Sequence, residues 1–202
     1  MNSLNEYQLA RLEQAATCID PASVQTVLRL RVLVQSTKAA DHAEFRNLFM
    51  GFYRLNTGGL TEAFKKRYFE LLFACDPLQV DPYTPLLGEL YLYPRRRGDH
   101  ALHGSFVSKL VATRDESRPL YDRYVSEFFG LSAPGTGSIE FRIAGFVANL
   151  NRLRATYLAW IDDPRLKAVL NLAAEKTPRV RDLHPVRVCD FLVWTIGVHG
   201  IG

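Results

Sequence analysis

The sequence predicts an all-α protein, a compact irregular multi-helix bundle formed by residues 1–202 as a single helical domain. Apolar residues recur at three- and four-residue spacing along most of the chain, and short turns separate these segments. A composition of 48% hydrophobic and 23% charged residues over 202 positions can bury a core without a metal or disulfide staple.

The opening helix carries Tyr7, Leu9, Leu12 and Ala16 and breaks at Asp20-Pro21, because the proline ring opposes continuation and suits a fresh first turn. Val24, Val27, Leu28 and Val32 mark a second helix. A third runs over about residues 41–53, with Phe45, Leu48, Phe49 and Phe52 on one face, and stops at the turn signal Asn56-Thr57-Gly58-Gly59. Thr61 caps a fourth, whose apolar stripe is Phe64, Tyr68, Leu71 and Leu72 and whose wet face is Lys65, Lys66 and Arg67. Residues 76–85 are too rich in proline for regular structure and could separate two helical lobes. Residues 86–93 read equally as a short helix or a strand.

After a basic loop at 94–100, a helix starts at about Ser105, a turn falls at Ser117-Arg118-Pro119, and another helix ends near Gly130. Residues 132–137 are a loop. A long helix follows over about 139–161, then one over about 164–175, and the last begins near Pro185 with Val188, Phe191, Leu192 and Thr195. Trp160 and Trp194 both read as core.

Absences narrow the chemistry. No run of eighteen apolar residues is present, and the first fourteen lack the apolar core of a signal peptide, so a cytoplasmic protein without membrane contact is expected. Cys18, Cys75 and Cys189 are three in number and widely spaced, which suits reduced, mostly buried thiols. The phosphate loop, the dinucleotide fingerprint, the H-E-x-x-H helix and the nucleophile elbow are all missing, so no cofactor is expected. His100 and His103 are the only histidines close in sequence, and with no adjacent cysteine or paired carboxylate no metal site is assigned. The net charge of +4 arises after residue 90, where sixteen basic side chains face eleven acidic ones, with clusters at Arg95-Arg96-Arg97 and at Lys176, Arg179, Arg181 and Arg187. A polyanion partner would prefer that part of the chain.

The segment Ser105-Phe-Val-Ser-Lys-Leu-Val-Ala-Thr-Arg-Asp-Glu-Ser-Arg-Pro-Leu-Tyr-Asp122 reads as helix, turn, helix. Phe106, Leu110 and Val111 face inward, Lys109 lies at the margin of that stripe, and Pro119 occupies the first turn of the second helix. Asp122 then falls near a helix N-terminus, where the backbone dipole favours an ionised carboxylate. This string resembles a bacterial family of similar length, without a secure function, whose members carry Ser-Phe-Ala-Ser-Lys … Pro-Ile-Tyr-Asp. Phe52-Tyr53-Arg54-Leu55-Asn56 with Tyr68-Phe69-Glu70, and Asp190-Phe191-Leu192-Val193-Trp194, are similar to it as well.

More distantly, the segment is similar to helix-hairpin-helix DNA glycosylases, in which a lysine begins the helix after a glycine hairpin and an aspartate opens the next helix. That resemblance implies a DNA-glycosylase-like fold and DNA as partner. It implies that neutral Lys109 attacks the sugar carbon of a flipped nucleotide to form a Schiff base, and that Asp122 stabilises positive charge on the sugar. Arg95, Arg96 and Arg97 would hold the phosphate backbone, and Gly104 is the glycine available for close phosphate approach. Two alternatives stay open: Lys109 and Asp122 as a structural ion pair or as groups that never meet, and a non-catalytic helical interaction module that binds a partner protein.

Overall fold

The computed structural model describes residues 3–202 apart from Thr57, Gly58, Pro77 and Ala133. Ten α-helices and one 3₁₀ turn are present, with no strand among the described residues. They are α1 (Glu6–Ala16), α2 (Pro21–Leu33), α3 (Ala39–Phe52), α4 (Glu62–Ala74), α5 (Tyr83–Tyr91), α6 (Gly104–Arg114), α7 (Arg123–Phe129), α8 (Ile139–Asp162), α9 (Pro164–Lys176) and α10 (Pro185–His199), with the 3₁₀ turn at Pro178–Asp182.

Short-range caps close several helix ends. The Asn5 side chain accepts the Gln8 N–H while the Gln8 side chain accepts the Asn5 N–H, closing a capping box on α1. Thr61 accepts the Phe64 N–H to start α4, as its position predicted. Gly130 ends α7 at φ 59°, a left-handed conformation that costs glycine little.

Three expectations are corrected. Residues 83–85 are helical, because Pro85 sits in the first turn of α5, where a missing N–H costs nothing. The Asp81 carboxylate accepts the Tyr83 and Thr84 N–H groups and starts that helix. Lys65 is buried rather than wet, its ammonium donating to Asn56 Oδ1 at 3.0 Å and Glu62 Oε1 at 2.9 Å. Trp194 is 37% exposed, while its neighbours Leu192, Val193 and Ile196 fill the core side of α10. Three sequence signals, Thr57-Gly58, Pro77 and Ala133, lie outside the described residues.

The chain divides into two compact units. The terminal unit comprises residues 1–25, 116–132 and 148–202, and the central unit residues 26–115 and 133–147. The division therefore falls elsewhere than at residues 76–85, and it follows α6 rather than α4. In the central unit, Phe45, Phe49, Phe64, Tyr68 and Phe69 interlock, for example Phe49 with Phe69 at 5.8 Å and Phe64 with Tyr68 at 6.0 Å between ring centres. Such pairs contribute about 0.5–1.5 kcal/mol each beyond their area burial. The buried Tyr68 hydroxyl donates to the Phe106 carbonyl at 2.8 Å, which ties α4 to α6. In the terminal unit, α1 packs on α9 and α10, and α10 packs on α7. Gly197 allows the last contact, because a Cβ there would meet the Tyr124 ring at 2.1 Å.

Candidate nucleic-acid interface and amine site

Consider first the basic loop of the central unit. The Arg95 N–H donates to the Asp99 carbonyl and the Gly98 N–H to the Arg95 carbonyl, both at 2.8 Å, and Gly98 takes φ 85° to close this turn. The Arg95 guanidinium pairs with the Asp99 carboxylate, which it holds below the usual carboxylate range. Arg96 serves the base of the loop: its N–H donates to the Gly59 carbonyl at 2.9 Å and its Nε to the Leu60 carbonyl at 3.1 Å. Arg97 is exposed and makes no hydrogen bond or ion pair with the described residues. The arginine triplet thus splits into two residues that shape the loop and one that it presents outward.

Downstream, His103 supplies the first carbonyl of α6, accepting the Phe106 and Val107 N–H groups at 3.0 Å. Its ring is buried with its centre 4.4 Å from that of Phe64, and its Nε2 has no hydrogen-bond partner. Burial, helped by the positive charge of Arg95, lowers its pKa to about 4, so the imidazole is neutral at pH 7. Gly104 is also buried, and a Cβ there would meet the Phe146 ring at 2.4 Å. Packing against Phe146 by itself accounts for that glycine.

Lys109 is half-buried near the middle of α6. Its ammonium donates to Ser105 Oγ at 3.1 Å and lies 5.4 Å from the Phe106 ring centre and 5.7 Å from that of Tyr53. Two aromatic faces and a hydroxyl thus fix the direction of the amine. Leu110 and Val111 are buried as the periodicity required, with Val107 and Ser108 beside them.

Asp122 belongs to the terminal unit, where it caps α7 by accepting the Val125 N–H on Oδ1 at 3.0 Å. Pro119 lies before the helix rather than in its first turn, and the Leu120 N–H that follows it is taken by the Asp190 carboxylate, both of whose oxygens lie 3.1 Å away. Asp190 also pairs with Arg187 at 2.9 Å, each side chain only 2% exposed. Burial raises the Asp190 pKa, to about 7, against the lowering effects of Arg187 and the Leu120 N–H. The Tyr157 hydroxyl is near enough to feel this carboxylate but falls outside hydrogen-bond geometry. Burial likewise pushes the Cys189 thiol well up, which leaves an inert packing residue.

His103 and the Arg187–Asp190 pair were not singled out in the sequence as functional groups. A signal existed for the pair: two opposite charges at i, i+3 inside the otherwise apolar run from Val186 to Val193 imply that they satisfy each other in the core.

The distribution of charge also changes meaning. The central unit holds fourteen basic and ten acidic residues, and the terminal unit eleven of each. Two of the four C-terminal basic residues are paired within their own unit, Arg179 with Asp182 at 2.5 Å and the buried Arg187 with Asp190, while Lys176 and Arg181 are exposed. No group of three metal-ligating side chains occurs among the described residues, and no helix of theirs is long and apolar enough to cross a membrane. Comparison with protein-family models, curated proteins and solved structures finds no match.

Proposed function

We propose that this all-α chain is a DNA-binding protein of DNA-glycosylase-like activity, with Lys109 of the central unit as its nucleophilic amine. The observation that carries the reading is electrostatic. The entire net charge of +4 belongs to the central unit, which also holds the braced arginine loop and Lys109. A phosphate backbone is drawn more strongly to that unit than to the one without net charge. Arg97 makes the phosphate contact, while Arg95 and Arg96 hold the loop that presents it.

In the chemical step, the Lys109 Nζ lone pair attacks C1′ of the sugar. The base leaves with the C1′–N bond electrons and takes up a proton as the Lys109 nitrogen loses one, and the C1′–O4′ bond then breaks with a proton going to O4′, leaving the imine; at an abasic site the amine adds to the C1′ aldehyde and water is lost.

Two measurements test this. Anisotropy titration of a labelled duplex across a series of salt concentrations should show affinity that falls with salt, and Arg97→Ala should reduce the slope of log affinity against log salt by about one. Affinity indifferent to salt removes the phosphate contact. Borohydride trapping with abasic DNA should give a covalent adduct with the wild type and none with Lys109→Ala. Absence of an adduct in the wild type rejects the Schiff-base step.

A further inference from the structure

Within the terminal unit, the end of α7 and the middle of α8 line a cavity of about 290 Å³. Phe129 and Leu131 form one side, and Arg152, Leu153, Ala155 and Thr156 the other. That volume is at the lower end for ligand pockets and admits one ring with a short substituent. The walls are mostly apolar. Leu131 and Leu153 are buried, and the Phe129 ring is backed by Tyr157 and Trp160, whose ring centres lie 5.6 and 5.2 Å away. A flat apolar group therefore meets an aromatic surface that is already packed in place.

The cavity carries one charged side chain, and it is positive. Arg152 has no carboxylate partner among the described residues, and no acidic side chain lines the cavity. Its side chain bonds instead to an amide: Nη2 donates to Asn149 Oδ1 at 3.2 Å. Asn149 is 8% exposed, and its Nδ2 donates to the Ser132 carbonyl at 3.1 Å, which leaves Oδ1 facing the arginine. The guanidinium is thus held while most of its N–H donors stay uncommitted. Holding it before a ligand arrives removes part of the rotamer entropy that binding would otherwise cost. The Thr156 hydroxyl gives its proton to the Arg152 carbonyl at 2.9 Å, so the donors for an anion come from Arg152.

We infer that this cavity binds a small aromatic carboxylic acid as its anion, with the carboxylate on the Arg152 guanidinium and the ring against Phe129. The planar fork of N–H donors matches a carboxylate, and the apolar walls favour a ring over a fully hydrated anion such as phosphate. The site belongs to the unit without net charge and does not depend on the chemistry proposed at Lys109.

The experiment is an NMR titration of the isotope-labelled protein with sodium benzoate, followed at the Gly130 and Leu131 amides. The wild type should give saturable shifts centred on the cavity, half-complete at about 1–10 mM, as a ligand of this size allows. Benzamide keeps the ring and loses the charge, and it should bind at least about tenfold more weakly. Benzoate should lose as much affinity for Arg152→Gln. Ala155 is exposed on α8, so Ala155→Phe fills the cavity from its open side and should abolish the shifts while the arginine remains. The dispersion of each variant's spectrum reports its fold. No saturable shift with benzoate in the wild type would overturn the inference, as would equal affinity for benzoate and benzamide. Benzoate binding indifferent to both substitutions would do the same. Phosphate binding as tightly as benzoate would also overturn it, marking Arg152 as a general surface cation.

Discussion

Replacing His103 by leucine should make the protein's stability less sensitive to acid. In the fold His103 is 6% exposed and its pKa falls from 6.5 to about 4, chiefly through burial. In the unfolded chain the ring protonates near its ordinary value. The depressed folded pKa means that the contribution of His103 is fully present above the unfolded pKa and is lost as pH falls through the interval between the two values. Over about pH 7 to about pH 5 the unfolded chain gains most of a proton at this site while the folded protein gains almost none, which amounts to about 2 kcal/mol at 1.4 kcal/mol per pH unit. Urea unfolding followed by far-UV circular dichroism at each pH, in wild type and His103→Leu, measures the difference directly. The wild type should lose about 2 kcal/mol more than the variant over that range. A histidine Cε1 resonance titrating near 4 would supply the site-specific check. Parallel pH profiles, or a midpoint at the ordinary histidine value, would refute the argument that the ring is desolvated against Phe64.

Two further outcomes follow from the packing and the cap. Gly104→Ala should destabilise the protein by about 2 kcal/mol in denaturant unfolding, because the added methyl drives into the buried Phe146 ring, which outweighs the gain of about 1 kcal/mol that alanine brings to a helix. Asp122→Ala should cost about 1 kcal/mol through the lost bond to the Val125 N–H, whereas Asp122→Asn keeps the cap at little cost and removes the charge. Chemical denaturation of both variants checks this, and an equal loss in the asparagine variant would refute the cap.

Much of the local structure was legible. Thr61 caps a helix and Gly130 ends one, because these depend on residues three or four apart, whereas Asp122 proved to be the cap of α7 and Pro119 to lie before it. The third helix, the long α8 and the final α10 followed from apolar spacing, and Trp160 is buried as read. Lys65 and Trp194 were misplaced because periodicity assigns a face but cannot see a partner. An asparagine nine residues back seats Lys65, and the exposed margin of α10 holds Trp194. Lys109 stood out as a marginal lysine, yet the Tyr53 ring and Ser105 hydroxyl that orient it were not visible.

By itself, the sequence determined the all-helical character of the chain and the ends of most of its helices, since both arise from interactions within one or two turns. Only the tertiary structure decided that Lys109 and Asp122 fall in different units, that the net charge belongs to the central unit, and that Asp190 takes the Leu120 N–H. Those facts depend on which distant segments meet, and burial in that meeting sets the protonation of His103 and the need for Arg187 beside Asp190.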